Sequence, residues 1–402
     1  MLIKQKYSWQ HLSNSSRILR QIFRSQPISR SEIAEALGCP SSLVTSVTAS
    51  LIEQGIIQEL GKAEKTEDNM PGRRRLVLGI CPDARYSIGV EIGIRHFRFY
   101  ITNLSGHVLK EICYAPKEEQ IAHVNNTIAD GVSQLIRANI VPEHNIIGVG
   151  VALPGHLNLQ SGHMVSHSSL WQDFNIGKLE AALGMKVTAE NNVRSMAYEK
   201  YLFDSRNCPE DFALLHAGAG IFCAAFRSGI LSEGGYTSGE IGHTIVNPNG
   251  LRCECGKAGC LQTYTSESWL LRKARSAYQA FPNSVFHRIA DSEDKLTLDH
   301  LLYAYQLGEP FAIQELREAL YYLSIAAANS AIVLGVPKMY LNSRMFQNEM
   351  LRQEFLSFIE AQLSFVNNVC DQDIEILPFK SSRAAVGAAA LAIDRLFISH
   401  CF

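Results

Sequence analysis

No stretch of this 402-residue chain approaches the ~18 consecutive apolar residues of a membrane-spanning helix. The opening Met-Leu-Ile-Lys-Gln-Lys lacks the apolar core and cleavage site of a secretory signal. Internal repeats and low-complexity tracts are also missing. The net charge is only −2, with 19% charged and 47% apolar residues, which excludes a disordered chain and describes one with sizeable cores. Cysteine is not scarce, with ten residues, but most of it lacks a pattern. Cys39, Cys81, Cys113, Cys208, Cys223, Cys370 and Cys401 are scattered like the reduced thiols of a cytosolic protein. The expectation is a cytoplasmic protein of two or three domains with no membrane association.

The small net charge hides a division. Residues 1–80 hold 11 Lys and Arg against 7 Asp and Glu, so this head is basic and the remainder acidic. Within it, residues 9–26 space Leu12, Ile18, Leu19, Ile22 and Phe23 as a helix. Ser29 to Glu32 starts a second helix that Gly38 ends, and Pro40-Ser41 opens a third that Gly55 ends. Residues 56–60 alternate as a strand, and 76–78 return as another. Three helices and two strands around a polar connection are the pattern of a winged helix-turn-helix over 1–80. Ser41, Ser42, Thr45, Ser46 and Thr48 are expected on the solvent face of its third helix, where short hydroxyls meet base edges or phosphates. Arg73, Arg74 and Arg75 would reach a minor groove or phosphates from the wing. A small protein-binding or dimerisation domain with solvated arginines is the alternative.

The chemistry is densest at 239–262. His243, Cys253, Cys255 and Cys260 offer one imidazole and three thiols within a segment rich in turn residues. A Cys₃His set suits the tetrahedral preference of Zn²⁺, and four protein ligands make such a metal structural, about one per chain. Three free thiols gathered by chance are the other reading.

The run Glu240-Ile241-Gly242-His243, followed by Cys-x-Cys-Gly-x-x-Gly-Cys-Leu, resembles the signature of the ROK family. That family groups sugar-responsive repressors and sugar kinases. Asn14, Ser29-Arg30 and the Gly-Arg-Arg wing resemble its repressor branch, in particular the N-acetylglucosamine- and xylose-type repressors. The resemblance implies an α/β chain in which the winged helix-turn-helix of 1–80 precedes a two-lobed, actin-like (hexokinase-type) ATPase fold over 81–402. It also implies a sugar site at Gly155, Asn191, Asn192, Glu240, His243 and Gln262, in which the zinc-bound histidine touches the sugar. Gln262 stands where the family usually has Glu.

Kinases of this family carry Glu-Asn-Asp, the Asp taking the proton from the attacking hydroxyl. Here the run is Glu190-Asn191-Asn192, and an amide cannot accept that proton. Their Asp-x-Gly-Gly-Thr is Glu91-Ile92-Gly93-Ile94-Arg95, and their late Gly-Gly is Asn342-Ser343. The expectation is therefore no catalysis. The protein is read as a regulator, most simply a repressor, of carbohydrate uptake or catabolism, with operator DNA, a sugar or sugar phosphate, and a homodimer or homotetramer as partners. An active sugar kinase with a DNA-binding appendage and a regulator released by a protein partner are the alternatives.

Overall fold

The computed structural model describes residues 12–62, 75–165, 169–364 and 373–401. They form two compact units, 1–210 with 381–402 and 211–380.

The first unit begins with α1 (Asn14–Ser25), capped by the Ser13 side chain, which accepts from the Ser16 N–H. Its apolar stripe, Ile18, Leu19, Ile22 and Phe23, is buried. The short strand β1 (Ile28–Ser29) leads into α2 (Arg30–Leu37). Ser29 and Glu32 close a reciprocal capping box, and Gly38 ends the helix in the left-handed region at φ +59°. Then come α3 (Ser41–Glu53), β2 (Ile57–Lys62) and β3 (Leu76–Ile80), which form an antiparallel sheet in the order β1-β3-β2. The expected wing tip, with Arg73 and Arg74, lies outside the described residues.

A larger sheet follows in the same unit. Strands β4 (Tyr86–Ile92), β5 (Phe97–Asn103) and β6 (Val108–Tyr114) are an antiparallel meander. The single helix expected over 117–138 is instead two, α4 (Glu118–Ala122) and α5 (Val124–Arg137), broken at His123. The Thr127 hydroxyl donates to the carbonyls of Gln120 and His123 at 2.8 and 3.1 Å, at the break itself. After β7 (Ile146–Leu153), the hairpin β8 (His156–Leu157) and β9 (Met164–Val165), and α6 (Ile176–Leu183), the chain reaches β10 (Val187–Asn191) and α7 (Asn192–Phe203). The sheet order is β10-β7-β4-β5-β6, with β4, β7 and β10 parallel.

The second unit repeats this plan. Strands β11 (Phe212–Ala217), β12 (Ile221–Arg227) and β13 (Ile230–Leu231) form the meander. Helices α8 (Gln262–Thr265), α9 (Glu267–Ala280), α10 (Phe286–Ile289), α11 (Leu298–Gln306) and the long α12 (Pro310–Leu334) intervene. Then β14 (Lys338–Ser343), α13 (Glu349–Leu363) and β15 (Asp373–Ile376) complete a sheet in the order β13-β12-β11-β14-β15. In both sheets the first strand is central, with the meander on one side and two parallel strands on the other.

The chain closes on the first unit with α14 (Arg383–Ala392), continued by a π-turn, Ile393–Phe397. All ten residues of α14 are buried. Its backbone lies almost against β4 and β7. A Cβ at Gly89 would sit 2.0 Å from the Ala385 oxygen, and one at Gly150 would sit 1.8 Å from that of Ala388. Glycine in the strands and alanine in the helix are what permit this approach. Gly150→Ala should therefore force the helix off the sheet and cost about 3 kcal/mol, the upper end for overpacking. An unchanged urea midpoint would refute that packing.

Candidate functional site

The segment from Gly239 to Gln262 folds back on itself in the second unit. A 3-10 turn, Ile241–His243, is followed by bridges from Ile245 to Cys260 and from Arg252 to Ala258. Gly259, at φ +73°, accepts from the Val246 N–H through its own carbonyl, and a Cβ there would fall 1.6 Å from the Asn247 oxygen. Only glycine allows that closure. The fold-back brings His243, Cys253, Cys255 and Cys260 together, with one donor atom from each inside a 4.8 Å span.

The His243 Nδ1 lies 3.6 Å from Cys253 Sγ, and the sulfurs of Cys255 and Cys260 are 3.6 Å apart. Metal–sulfur bonds of about 2.3 Å put tetrahedral corners about 3.8 Å from one another, so the donor set has the dimensions of a tetrahedral site. The thiols also need a cation in order to ionise together. Burial, followed by hydrogen bonds and charge from the other two thiols, raises Cys260, and burial likewise raises Cys253. At Cys255 burial acts upward too, but the Lys257 N–H, hydrogen bonds with Cys260 and Cys253 and the Lys257 charge bring it below the usual thiol range. Lys257, not singled out in the sequence, also donates Nζ to the His243 carbonyl at 2.6 Å.

Two expected effector residues flank this cluster. Glu240, partly buried, precedes the turn that carries His243. Gln262, at the start of α8, donates Nε2 to Glu254 at 3.2 Å, and the Trp269 indole N–H donates to the same carboxylate oxygen at 3.2 Å. Glu254 lies between two of the cysteines and holds the loop against α9.

The other three stand in the first unit, Asn191 and Asn192 where β10 passes into α7 and Gly155 in the turn between β7 and β8. The Asn191 side chain caps the helix, its Oδ1 accepting from the N–H groups of Val193 and Arg194 at 2.9 and 3.3 Å. Its Nδ2 donates to the Gly155 carbonyl at 3.3 Å, so these two residues are brought together. Asn192 is partly exposed, and its Oδ1 accepts from Val193 N–H at 2.9 Å. Glu190 is buried. Burial opposes its charge, but Arg194 and Arg395, with the Asn191 N–H, hold its carboxyl below the ordinary range.

The positions matched to kinase phosphate loops hold other contacts. Glu91 is buried and pairs with Arg98 at 2.9 Å and with His96 at 3.1 Å. Ile94 and Arg95 are exposed at the hairpin. At the carboxyl ends of β11 and β14, His216 Nδ1 and Asn342 Nδ2 are 3.0 Å apart, and Ser343 is buried.

In the head, Ser41, Ser42, Thr45 and Ser46 are exposed along one face of α3, joined by Ala49 and Ser50, which the sequence reading left out. Thr48 is a correction: it is fully buried, donates to the Val44 carbonyl at 2.8 Å and accepts from Arg30 Nε at 2.9 Å. It faces α2, and cannot meet DNA from there. Arg75 is exposed.

The ROK family model matches residues 87–395, which takes in the Cys₃His loop, the Glu190-Asn191-Asn192 turn and both sheets. The chain belongs to the ROK family. Among its ROK relatives, the Xylose repressor of Bacillus subtilis (strain 168) is 22% identical over 395 residues, covering 96% of this chain and 95% of the relative. The DNA-binding transcriptional dual regulator NagC of Escherichia coli (strain K12) is 30% identical over 283 residues, 66% of each chain. A crystal structure of a ROK family transcriptional regulator, described as a homolog of the E. coli MLC protein, matches with a TM-score of 0.75 at 21% identity over 96% of both chains. A ROK glucokinase from Streptomyces griseus, solved with glucose and AMPPNP, matches 76% of this chain and 98% of its own with a TM-score of 0.65 at 22% identity. The mixed α/β fold is thus shared with the hexokinase-type kinases of the family. Among the described residues no helix is long and apolar enough to cross a membrane.

Proposed function

We propose that this protein is a cytoplasmic, sugar-responsive transcriptional repressor. Residues 1–80 act as a winged helix-turn-helix that binds operator DNA, and 81–402 act as a sugar-sensing and oligomerising core that has lost kinase activity. One observation carries the reading. Similarity to a protein named Xylose repressor runs over 96% of the chain, head included, whereas the glucokinase matches 76%. The exposed hydroxyl face of α3 and the cationic Arg73, Arg74 and Arg75 supply contacts to bases and phosphates.

His243, Cys253, Cys255 and Cys260 would hold one Zn²⁺, which supplies a cross-link for the loop and fixes the imidazole. With Nδ1, the nitrogen nearer Cys253, given to the metal, the ring would keep its proton on Nε2 and would present one donor in a set direction. Glu240 and Gln262, with Gly155, Asn191 and Asn192, add the acceptors and donors that sugar hydroxyls need. The effector is a sugar or sugar phosphate that binds the DNA-free arrangement better than the DNA-bound one. The difference between those affinities limits the switch to about 1–3 kcal/mol. A homodimer or homotetramer would place two heads on half-sites one helical turn apart.

Replacing Arg73 and Arg74 together with alanine tests the head. Operator affinity should fall, and the slope of log K against log salt should shrink by about one to two units through lost counterion release. An unaltered slope and affinity would assign both arginines to solvent and remove the wing from the DNA interface.

A further inference from the structure

Asn191 and Asn192 open α7, and twelve residues later the helix ends beside α1 of the head, all within the first unit. There Arg206 donates Nε and Nη2 to the Gln26 carbonyl at 3.1 and 2.8 Å. In return Arg24 donates to the Cys208 carbonyl at 2.9 Å and lies 4.3 Å over the Tyr201 ring. The start and middle of α1 are held by the end of the chain. Ser13 and Ser16 both donate to the Cys401 carbonyl, and Arg20 Nη2 donates to Asp394 Oδ1 at 2.6 Å and to Ser399 Oγ at 3.2 Å. The Arg20 and Asp394 side chains are each 7% exposed.

The residue after Asp394 makes the other connection. Arg395 donates Nη2 to Glu190 Oε2 at 2.9 Å and Nη1 to the Ala189 carbonyl at 3.4 Å, on the strand that ends in Asn191. Consecutive residues of one π-turn therefore bind the first helix of the head and the strand end that carries the asparagines. The two long elements between these points cannot slide independently. A Cβ at Gly387 of α14 would sit 1.9 Å from the Ser195 oxygen of α7, and Arg383 of α14 pairs with Glu199 of α7.

We propose that α7 and α14 form one lever whose grip on the head is the Arg20–Asp394 ion pair, so that ligand contact at Asn191 and Asn192 is passed to α1. This rests on the reading above that these asparagines touch the effector. The physical reason lies in the burial of the pair. Parting the two charges would leave each without its opposite charge at a buried position, so α1 follows a shift of the lever instead of slipping over it. An apolar contact imposes no such demand.

Arg20→Met combined with Asp394→Leu makes the contact apolar and removes the demand, and Arg20→Gln combined with Asp394→Asn, neutral on both sides, is the milder second variant. Each full-length protein is titrated onto a DNA duplex selected from random sequence by the wild type, with and without xylose, N-acetylglucosamine and N-acetylglucosamine 6-phosphate. Melting temperature reports sugar binding separately. In the wild type a sugar should change DNA affinity by roughly 5–150-fold, the usual range of allosteric coupling. In the variants the sugar should still raise the melting temperature, while its effect on DNA affinity falls to about twofold or less. If Arg20→Met with Asp394→Leu does not fold, Arg20→Gln with Asp394→Asn decides by the same criterion. A wild type that no sugar affects overturns the repressor reading and the lever together. A responsive wild type with equally responsive variants overturns the lever alone.

Discussion

Replacing Cys255 with serine is expected to lower metal content and melting temperature together. Cys255 is the most exposed of the three thiols and the one whose ionisation its surroundings favour, so serine there removes a ligand without opening the core. A metal on the four donors would tie His243 to residues up to 17 positions away, as a cross-link does. Losing a native cross-link costs about 2–5 kcal/mol. In a unit of this size each kcal/mol lowers the melting temperature by about 2–4 °C, so a fall of roughly 5–15 °C is expected. Metal is counted by mass spectrometry and the transition followed by calorimetry. A chelator should reproduce the shift in the wild type, because metal binding free energy is also folding free energy. Metal loss at an unchanged melting temperature would sink the structural role, and metal retained in full would remove Cys255 from the ligand set.

How much of this could be read from the chain depends on how local each feature is. The donor cluster was legible because its ligands lie within 18 residues and its turns are written in Gly, Asn and Pro. The helices of the head were legible for a similar reason: the Ser29–Glu32 box and Gly38 are signals that act on their immediate neighbours. Thr48 was misplaced because helical spacing gives a face but not its edge. Arg30 from the preceding helix covers that edge and takes the hydroxyl as an acceptor. His123 broke a helix without a Pro or Gly to announce it. The tight seat of α14 was hidden more deeply. A helix buried on every side has no apolar stripe, and its alanines make sense only against Gly89 and Gly150, hundreds of positions upstream. The repeated strand order of the two units left no trace either, since buried strands of both sheets read simply as apolar runs. The Arg20–Asp394 pair spans 374 positions, beyond the reach of any single-sequence pattern.

The protein is expected to show no sugar-dependent ATP hydrolysis, and Asn192→Asp is expected not to restore it. A general base contributes about 10²–10⁴-fold, but only when the nucleotide is already held in line with the attacking hydroxyl. Asn192, the first residue of α7, offers an amide where the resemblance to the family's kinases implies the base. Three separate features then work against phosphate binding. Glu91 is engaged by Arg98 and His96, Ile94 and Arg95 replace the small residues of the hairpin, and His216 with Asn342 occupies neighbouring strand ends where close backbone approach is needed. Returning one carboxylate repairs none of these. Glu240→Ala should instead abolish the sugar's effect on DNA affinity and leave DNA binding without sugar intact, because its carboxylate is proposed to contact the sugar and belongs to the unit that does not contain the head. Both variants are assayed beside the wild type by coupled ADP release and by operator titration with and without sugar. Sugar-dependent ADP production by the wild type would overturn the sensor. A Glu240→Ala protein that still answers to sugar would leave the regulator standing and move its effector contacts away from the loop that carries His243.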